Sequence, residues 1–125
     1  MGYYSNFSYY LESAKVDTKK VKELEEFFKN EDNHLDISGF LNVIIELDRD
    51  DDEIAAITNI NSEDNYAKFY DDWLMAKKLS SALVDGSVEL YFVGEDGLSW
   101  GYRVTPGKVY DMVATWVVAG ESKFE

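Results

Sequence analysis

The densest group of side chains able to do chemistry is an acidic run, Asp48-Arg49-Asp50-Asp51-Asp52-Glu53. The carboxylates at its first, third and fifth positions match the spacing of the first three ligands in an EF-hand calcium loop. The match ends there, because the sixth position holds Glu53 instead of glycine and the twelfth holds Asn59 instead of a bidentate glutamate. Calcium binding, or magnesium binding in a metal-dependent enzyme, is therefore the alternative hypothesis for this run.

Other catalytic patterns are missing from the sequence. The chain has no cysteine, no P-loop and no G-x-G-x-x-G motif. Its single histidine, His34, lies in an acidic segment and is interpreted as a surface residue instead of a general base. A glycosidase-like carboxylate pair stays open as an alternative, although 25 acidic residues allow such a pair to be drawn almost anywhere. We expect a protein that is not an enzyme, with no catalytic residues and no cofactor.

A second stretch with binding potential is Gly94-Glu95-Asp96-Gly97 followed by Trp100-Gly101-Tyr102-Arg103. It can be interpreted as a ligand pocket, or as a turn followed by a strand whose aromatic residues pack on a helix; the second interpretation is favoured. Gly101 in the middle of a strand indicates a bulge or a close approach of backbone. Of the nine tyrosines, Tyr66 and Tyr70 are candidate contact residues, because tyrosine is enriched at interfaces.

Hydrophobic periodicity predicts the elements that must position these residues. In chain order they are a strand at 3–11, a helix capped by Asp17 and running to about 29, an ambiguous segment at 37–47 for which helix is favoured over strand, a strand at 54–60, a helix at 73–84 capped by Asp71 or Asp72, and strands at 87–93, 98–104 and 108–118. Gly86 is expected just past the end of the second helix, and Pro106-Gly107 suits a type II turn.

The predicted fold class is α+β. The last three strands form an antiparallel meander, the N-terminal strand joins the same sheet, and two or three helices pack on one face. At 125 residues with 46% apolar content, the chain is expected to form a single domain, residues 1–125. Its start lacks a secretory signal, and no apolar run approaches the roughly 20 residues that span a bilayer, so a cytoplasmic protein is expected.

The net charge is −13, and it is concentrated in the middle of the chain. Residues 31–72 hold thirteen acids against Arg49 and Lys68, which gives −11. This balance argues against direct binding of nucleic acid or of anionic membranes, since lysine and arginine supply most of the affinity for phosphate. A surface made acidic only for solubility is the competing interpretation.

The acidic segment favours a binding module that occupies a basic surface, as a DNA mimic would. Clustered carboxylates offer a basic groove a field like that of DNA, and neighbouring tyrosines would add short-range contact. The expected partner is a nucleic-acid-binding protein, and an exposed edge strand could also pair two copies into a homodimer. The predicted partner-binding residues are Asp48, Asp50, Asp51, Asp52, Glu53, Glu63, Asp64, Tyr66 and Tyr70.

Tyr66 to Tyr70 before a helix, Val88 to Gly97, Trp100 to Val104 and Gly107-Lys108-Val109 make residues 66–118 resemble small proteins of bacteriophages and mobile elements. The resemblance implies a ferredoxin-like α+β fold and a phage or prophage origin, hence the cytosol of the host cell. It also implies an inhibitor of host defence, such as an anti-CRISPR protein. The long acidic insertion between the helices departs from the compact ferredoxin-like pattern.

Overall fold

Two helices and seven strands make up the described part of the chain, which covers residues 4–30, 39–62, 66–114, 118 and 120–121 of the computed structural model. The elements are β1 (Ser5–Asp17), α1 (Thr18–Lys29), β2 (Ile44–Leu47), β3 (Ile54–Asn61), β4 (Tyr66–Ala67), α2 (Asp72–Ala82), β5 (Leu83–Gly94), β6 (Ser99–Thr105) and β7 (Lys108–Val113). Neither described helix is long and apolar enough to cross a lipid bilayer.

All seven strands belong to one antiparallel sheet with the order β2-β3-β1-β5-β6-β7, and the short β4 pairs with the beginning of β1. The predicted α+β class and the C-terminal meander are confirmed. The ferredoxin-like topology is wrong, as is the four-strand sheet. A ferredoxin-like chain runs β-α-β-β-α-β, whereas here three strands separate the helices and three more follow α2. The extra β2–β3 hairpin lies beside β1 and widens the sheet.

Both helices cover the same face of this sheet, and their apolar stripes form the core with it. Helix α1 buries Val21, Leu24 and Phe28, and α2 contributes Met75 and Leu79. The facing strand residues occupy alternate positions, as the pleat requires. They include Phe7, Ala14, Val16, Val88, Leu90, Phe92 and Val104.

Helix α1 begins where the sequence predicts, because Asp17 caps it. The Asp17 carboxylate accepts hydrogen bonds from the backbone N–H groups of Lys19 (3.0 Å) and Lys20 (3.2 Å), two of the donors that the first helical turn leaves unsatisfied. Helix α2 starts at Asp72 after Asp71, whose side chain makes no capping bond. The Asp72 carboxylate instead accepts hydrogen bonds from Trp100 and Tyr102 of β6.

The predicted helix at 37–47 is wrong. Within the described part of this segment, residues 39–42 form a turn and residues 44–47 form β2; residues 37 and 38 lie outside it. Ile45 pairs with Ile60 of β3, and both are buried, whereas Ile44 is exposed. A strand therefore forms because β-branched side chains alternate between core and solvent beside a partner strand, which single-sequence periodicity does not reveal.

Three predicted boundaries also move. Strand β1 continues past Leu11 to Asp17, α2 ends at Ala82 because Leu83 already belongs to β5, and β7 ends at Val113. Residues 115–117, at the end of the predicted third strand, lie outside the described residues. The hairpin turns are confirmed: Gly97 and Gly107 have φ values of +85° and +74°.

A bulge between β1 and β5 explains why β1 looked shorter in the sequence. Glu12 faces Ser87 and Lys15 faces Asp85, so two residues of β1 face Gly86 alone. The extra residue moves the buried side chains of β1 from odd to even positions, which interrupts the alternation. Gly86 is thus a bulge residue and not the end of α2. Its φ is +75°, and a Cβ there would lie 2.2 Å from the carbonyl oxygen of Ser13.

This geometry predicts that Gly86→Ala destabilises the protein more than Gly97→Ala does. Both glycines have positive φ, so each substitution should cost about 1 kcal/mol in backbone strain. A Cβ at Gly97 meets nothing within 4 Å, whereas at Gly86 it meets backbone. We expect an additional loss of about 1–3 kcal/mol for Gly86→Ala, measured by urea unfolding. Equal losses for the two variants would contradict the tight bulge.

Candidate functional site

The acidic run forms the exposed connection between β2 and β3, and we call residues 48–53 the acidic loop. All six residues are exposed. The base of the loop is closed by Asp48, whose N–H donates to the carbonyl of Ala56 (3.0 Å) and whose carboxylate accepts from the N–H of Ala56 (2.9 Å). Inside the loop Arg49 forms an ion pair with Asp52 (3.5 Å), and both side chains are more than half exposed. The remaining carboxylates extend into solvent.

The far side of the loop is attached to the start of α1. The hydroxyl of Thr18 donates to the carbonyl of Asp52 (2.8 Å), and the N–H of Thr18 donates to the carbonyl of Glu53 (3.0 Å). The helix capped by Asp17 therefore also holds the loop that follows β2. Because the attachment uses backbone carbonyls, it fixes the position of the loop without using its carboxylates.

The structure does not bring the predicted tyrosines to this loop. Tyr66 lies in β4, which pairs with Asn6 at the beginning of β1, whereas Ile54, the residue after the loop, pairs with Asp17 at the end of β1. Eleven residues of strand separate these two positions, a distance of roughly 35 Å. Tyr66 stacks on the ring of Tyr4 at 5.3 Å instead.

Of the other predicted site residues, Tyr70 is exposed just before α2. Glu63 and Asp64 lie outside the described residues, and so does His34. Only the carboxylates of the acidic loop therefore form a contiguous group among the predicted site residues that can be placed. Within the described ranges, no three His, Cys, Asp or Glu side chains are arranged to hold a metal ion.

Asp72 at the start of α2 explains the aromatic residues of β6. Its carboxylate accepts hydrogen bonds from the indole N–H of Trp100 (2.7 Å) and from the hydroxyl of Tyr102 (2.9 Å). Burial, together with the hydrogen bond to Asp72, raises the pKa of Tyr102 above its ordinary value of 10. Trp100 and Tyr102 therefore join the sheet to α2, as the packing interpretation predicts.

The opposite face of the sheet is not covered by any described element. We call its part on β1, β5, β6 and β7 the open face. Cross-strand pairing arranges its side chains in rows across the four strands. The central rows are Tyr10-Glu89-Arg103-Tyr110, Ser8-Tyr91-Gly101-Met112 and Asn6-Val93-Ser99.

A shallow apolar groove crosses the open face at Gly101. Its volume is about 320 Å³, and Tyr91, Val93 and Met112 are among its walls. Gly101 forms the floor of the groove. A Cβ at this position would lie 2.4 Å from the carbonyl oxygen of Leu90 and 3.4 Å from the Met112 methyl, so a larger residue does not fit. The groove therefore exists because a glycine is required where two strands approach closely.

One polar network borders this groove. Glu89 accepts a hydrogen bond from the hydroxyl of Tyr91 through Oε1, while its Oε2 accepts from Nε of Arg103 (2.8 Å) and lies 2.8 Å from Nη2. The hydrogen bond from Tyr91, with a further contribution from Arg103, lowers the pKa of Glu89. The same hydrogen bond raises the pKa of Tyr91 to about 12.

Sequence reasoning missed the open face as a surface, although one signal was present. The strand around residues 87–93 alternates core residues with Glu89, Tyr91 and Val93. Two of these three are aromatic or apolar, although a strand face that only contacts water needs no such residues. Recognising it needs the pairing of Tyr91 with Gly101, which is a tertiary fact.

Comparison with protein-family models, with curated proteins and with solved structures finds no match to this chain.

The network predicts an abnormal titration of Tyr91. Its hydroxyl should remain protonated until about pH 12, compared with an ordinary pKa of 10, in tyrosine-labelled NMR spectra. Glu89→Gln removes the charge that holds the proton and should bring the pKa of Tyr91 back toward 10. Tyr91→Phe assigns the signal. If Tyr91 titrated in the unmodified protein together with exposed tyrosines, the network would be contradicted.

The directions of the two pKa shifts define the pH range in which the hydrogen bonds among Glu89, Tyr91 and Arg103 stabilise the fold. The raised pKa of Tyr91 gives a contribution that is complete below pH 10 and lost as the pH rises through about 12. The lowered pKa of Glu89 gives a contribution that is present above pH 4.5 and lost as the pH falls through its lowered value. The contribution is therefore complete between about pH 4.5 and 10.

Proposed function

We propose that this protein is a non-enzymatic binding module that places its acidic loop on a basic surface of a nucleic-acid-binding protein. The observation that carries the proposal is the loop itself, which holds five carboxylates and one arginine, net −4, exposed on a backbone anchored to α1. On the resemblance to phage proteins, the target is a defence protein of the host and the effect is inhibition by occupying its nucleic-acid groove.

The charge density of the loop supports a mimic of nucleic acid. Five carboxylates lie within six residues, and all of them are exposed. A groove that binds the closely spaced phosphates of DNA therefore meets a dense group of negative charges at the loop, and long-range attraction raises the rate of encounter.

The distribution of charge over the fold favours this interpretation over an acidic surface kept for solubility. Helices α1 and α2 together hold six lysines and four acids, net +2, in a chain of −13. A chain acidic only for solubility has no need to exclude its helices. The negative charge is instead concentrated in connections, and the acidic loop is the most concentrated of those described.

Within this proposal the residues of the loop have different roles. Asp48 closes the loop through Ala56, so its substitution would change the conformation of the loop as well as its charge. Asp50, Asp51 and Glu53 have no role in closing the loop, and Asp52 is exposed beside Arg49. These four carboxylates are assigned to the partner. Tyr66 and Tyr70 are not assigned to the same contact, because they lie near the opposite end of β1.

The test begins with a pull-down from host lysate at low and high salt, which identifies the captured protein, and continues with the purified pair. Asp50→Asn, Asp51→Asn, Asp52→Asn and Glu53→Gln together should weaken binding at low salt by tenfold or more, equivalent to at least about 1.4 kcal/mol. Binding of the unmodified protein should weaken as salt increases, and duplex DNA should compete for the same site.

A matched control separates the loop from the overall charge. Glu23, Glu26, Glu95 and Glu121 are exposed acids outside the loop, and changing all four to glutamine alters the net charge by the same four units. The control variant should retain most of the affinity. Equal weakening by the two variants, or unchanged affinity in the loop variant, would contradict the proposed site.

A further inference from the structure

The open face differs from the rest of the molecule in its charge. From Asn6 to Glu12 on β1 and along the paired parts of β5, β6 and β7, its charged side chains are Glu12, Glu89, Arg103 and Lys108. Two acids and two bases give a net charge of zero, in a chain whose net charge is −13. Association of two copies is opposed by repulsion wherever acids accumulate, and this face has no such excess of acids.

The same face exposes apolar and aromatic groups that a solvated sheet surface does not need. Tyr10 is 53% exposed, Tyr110 is 48% exposed and Val93 is 42% exposed. Val93 also lines the groove over Gly101, whose walls are mainly apolar. Tyrosine is enriched at protein interfaces, because it supplies a rigid apolar ring with a polar tip.

We infer that the open face is the interface of a homodimer in which two copies pack face to face about a twofold axis. A twofold interface joins the same patch of both copies, so the patch must be complementary to itself. The row Tyr10-Glu89-Arg103-Tyr110 can be complementary to itself, because the oppositely charged Glu89 and Arg103 are neighbours in it. A twofold axis close to this pair places Arg103 of each copy beside Glu89 of the other.

The same axis places Tyr10 of one copy opposite Tyr110 of the other, and Tyr91 of one copy opposite the groove over Gly101 of the other. The symmetry repeats both contacts. The proposed dimer involves only the open face and is independent of the proposed role of the acidic loop. The loop lies beyond the β1 end of these rows, so both loops of the dimer remain accessible.

The size of the face sets the expected strength. Four strands about 4.8 Å apart and seven residues along β1 give a nearly flat area of about 400 Å² per copy, or about 800 Å² in total before side-chain relief is counted. This is at the low end for specific interfaces, where complexes are transient. We therefore expect a reversible dimer that dissociates on dilution through the micromolar range.

The experiment is sedimentation velocity of the full chain alone, over a concentration series from low to high micromolar. Val93→Glu with Tyr110→Glu adds two negative charges to exposed positions of the face, and should leave a monomer or raise the dissociation constant at least tenfold. Ile44→Glu with Ile54→Glu is the matched control. It adds the same charge at exposed apolar positions on β2 and β3, outside the face, and should dimerise like the unmodified protein.

Charge reversal distinguishes a contact between copies from a loss of folding. Arg103→Glu alone should abolish the dimer, because it places like charges on both sides of the axis. Glu89→Arg with Arg103→Glu restores opposite charges within each copy and between copies, so the double variant should recover the dimer. A monomer at every concentration, or a dimer that survives Val93→Glu with Tyr110→Glu, would overturn the inference.

Discussion

The antiparallel ladder between β1 and β5 determines where the other elements lie. It runs from Ser5 paired with Gly94 to Val16 paired with Leu83, and it places Phe7 directly beside Phe92. The rings of Phe40 and Phe69 then pack against the Phe7 ring, with centroids within 5.5 Å of it. The β2–β3 hairpin and β4 attach to the other edge of β1, the β6–β7 hairpin attaches to β5, and both helices cover the face that carries these rings.

The length of β1 also separates the acidic loop from the exposed rings of Tyr66 and Tyr4. Its beginning lies near the exposed aromatic residues Tyr66 and Tyr4, and its end lies near the acidic loop. The acidic loop therefore lies apart from the rings of Tyr66 and Tyr4, although Tyr66 is close to the loop in the sequence. Electrostatic attraction acts over about 10 Å at moderate salt, so a basic partner drawn to the loop is not drawn to these tyrosines.

The features that could be predicted from the sequence are those determined by neighbours along the chain. Asp17 as an N-cap, the glycine turns of the C-terminal meander and the alternation in β5 and β6 all depend on a few adjacent residues. The topology was not predictable in this way, because the position of β3 beside β1 and the bulge at Gly86 depend on pairing between distant segments. Strand β2 was missed for the same reason: its two isoleucines fit a helix or a strand until Ile60 is placed opposite one of them.

The two candidate surfaces also differ in whether neighbouring residues alone could predict them. Composition alone identified the acidic loop, whereas the open face required the register that places Gly101 beside Tyr91. The attachment of the acidic loop to α1 also bears on whether the loop serves binding or solubility. Five carboxylates in six residues repel one another, and Arg49 compensates only in part. The fold nevertheless fixes the loop through backbone carbonyls at Thr18. A flexible acidic segment would serve solubility equally well, so a fixed position is better explained by recognition of a partner.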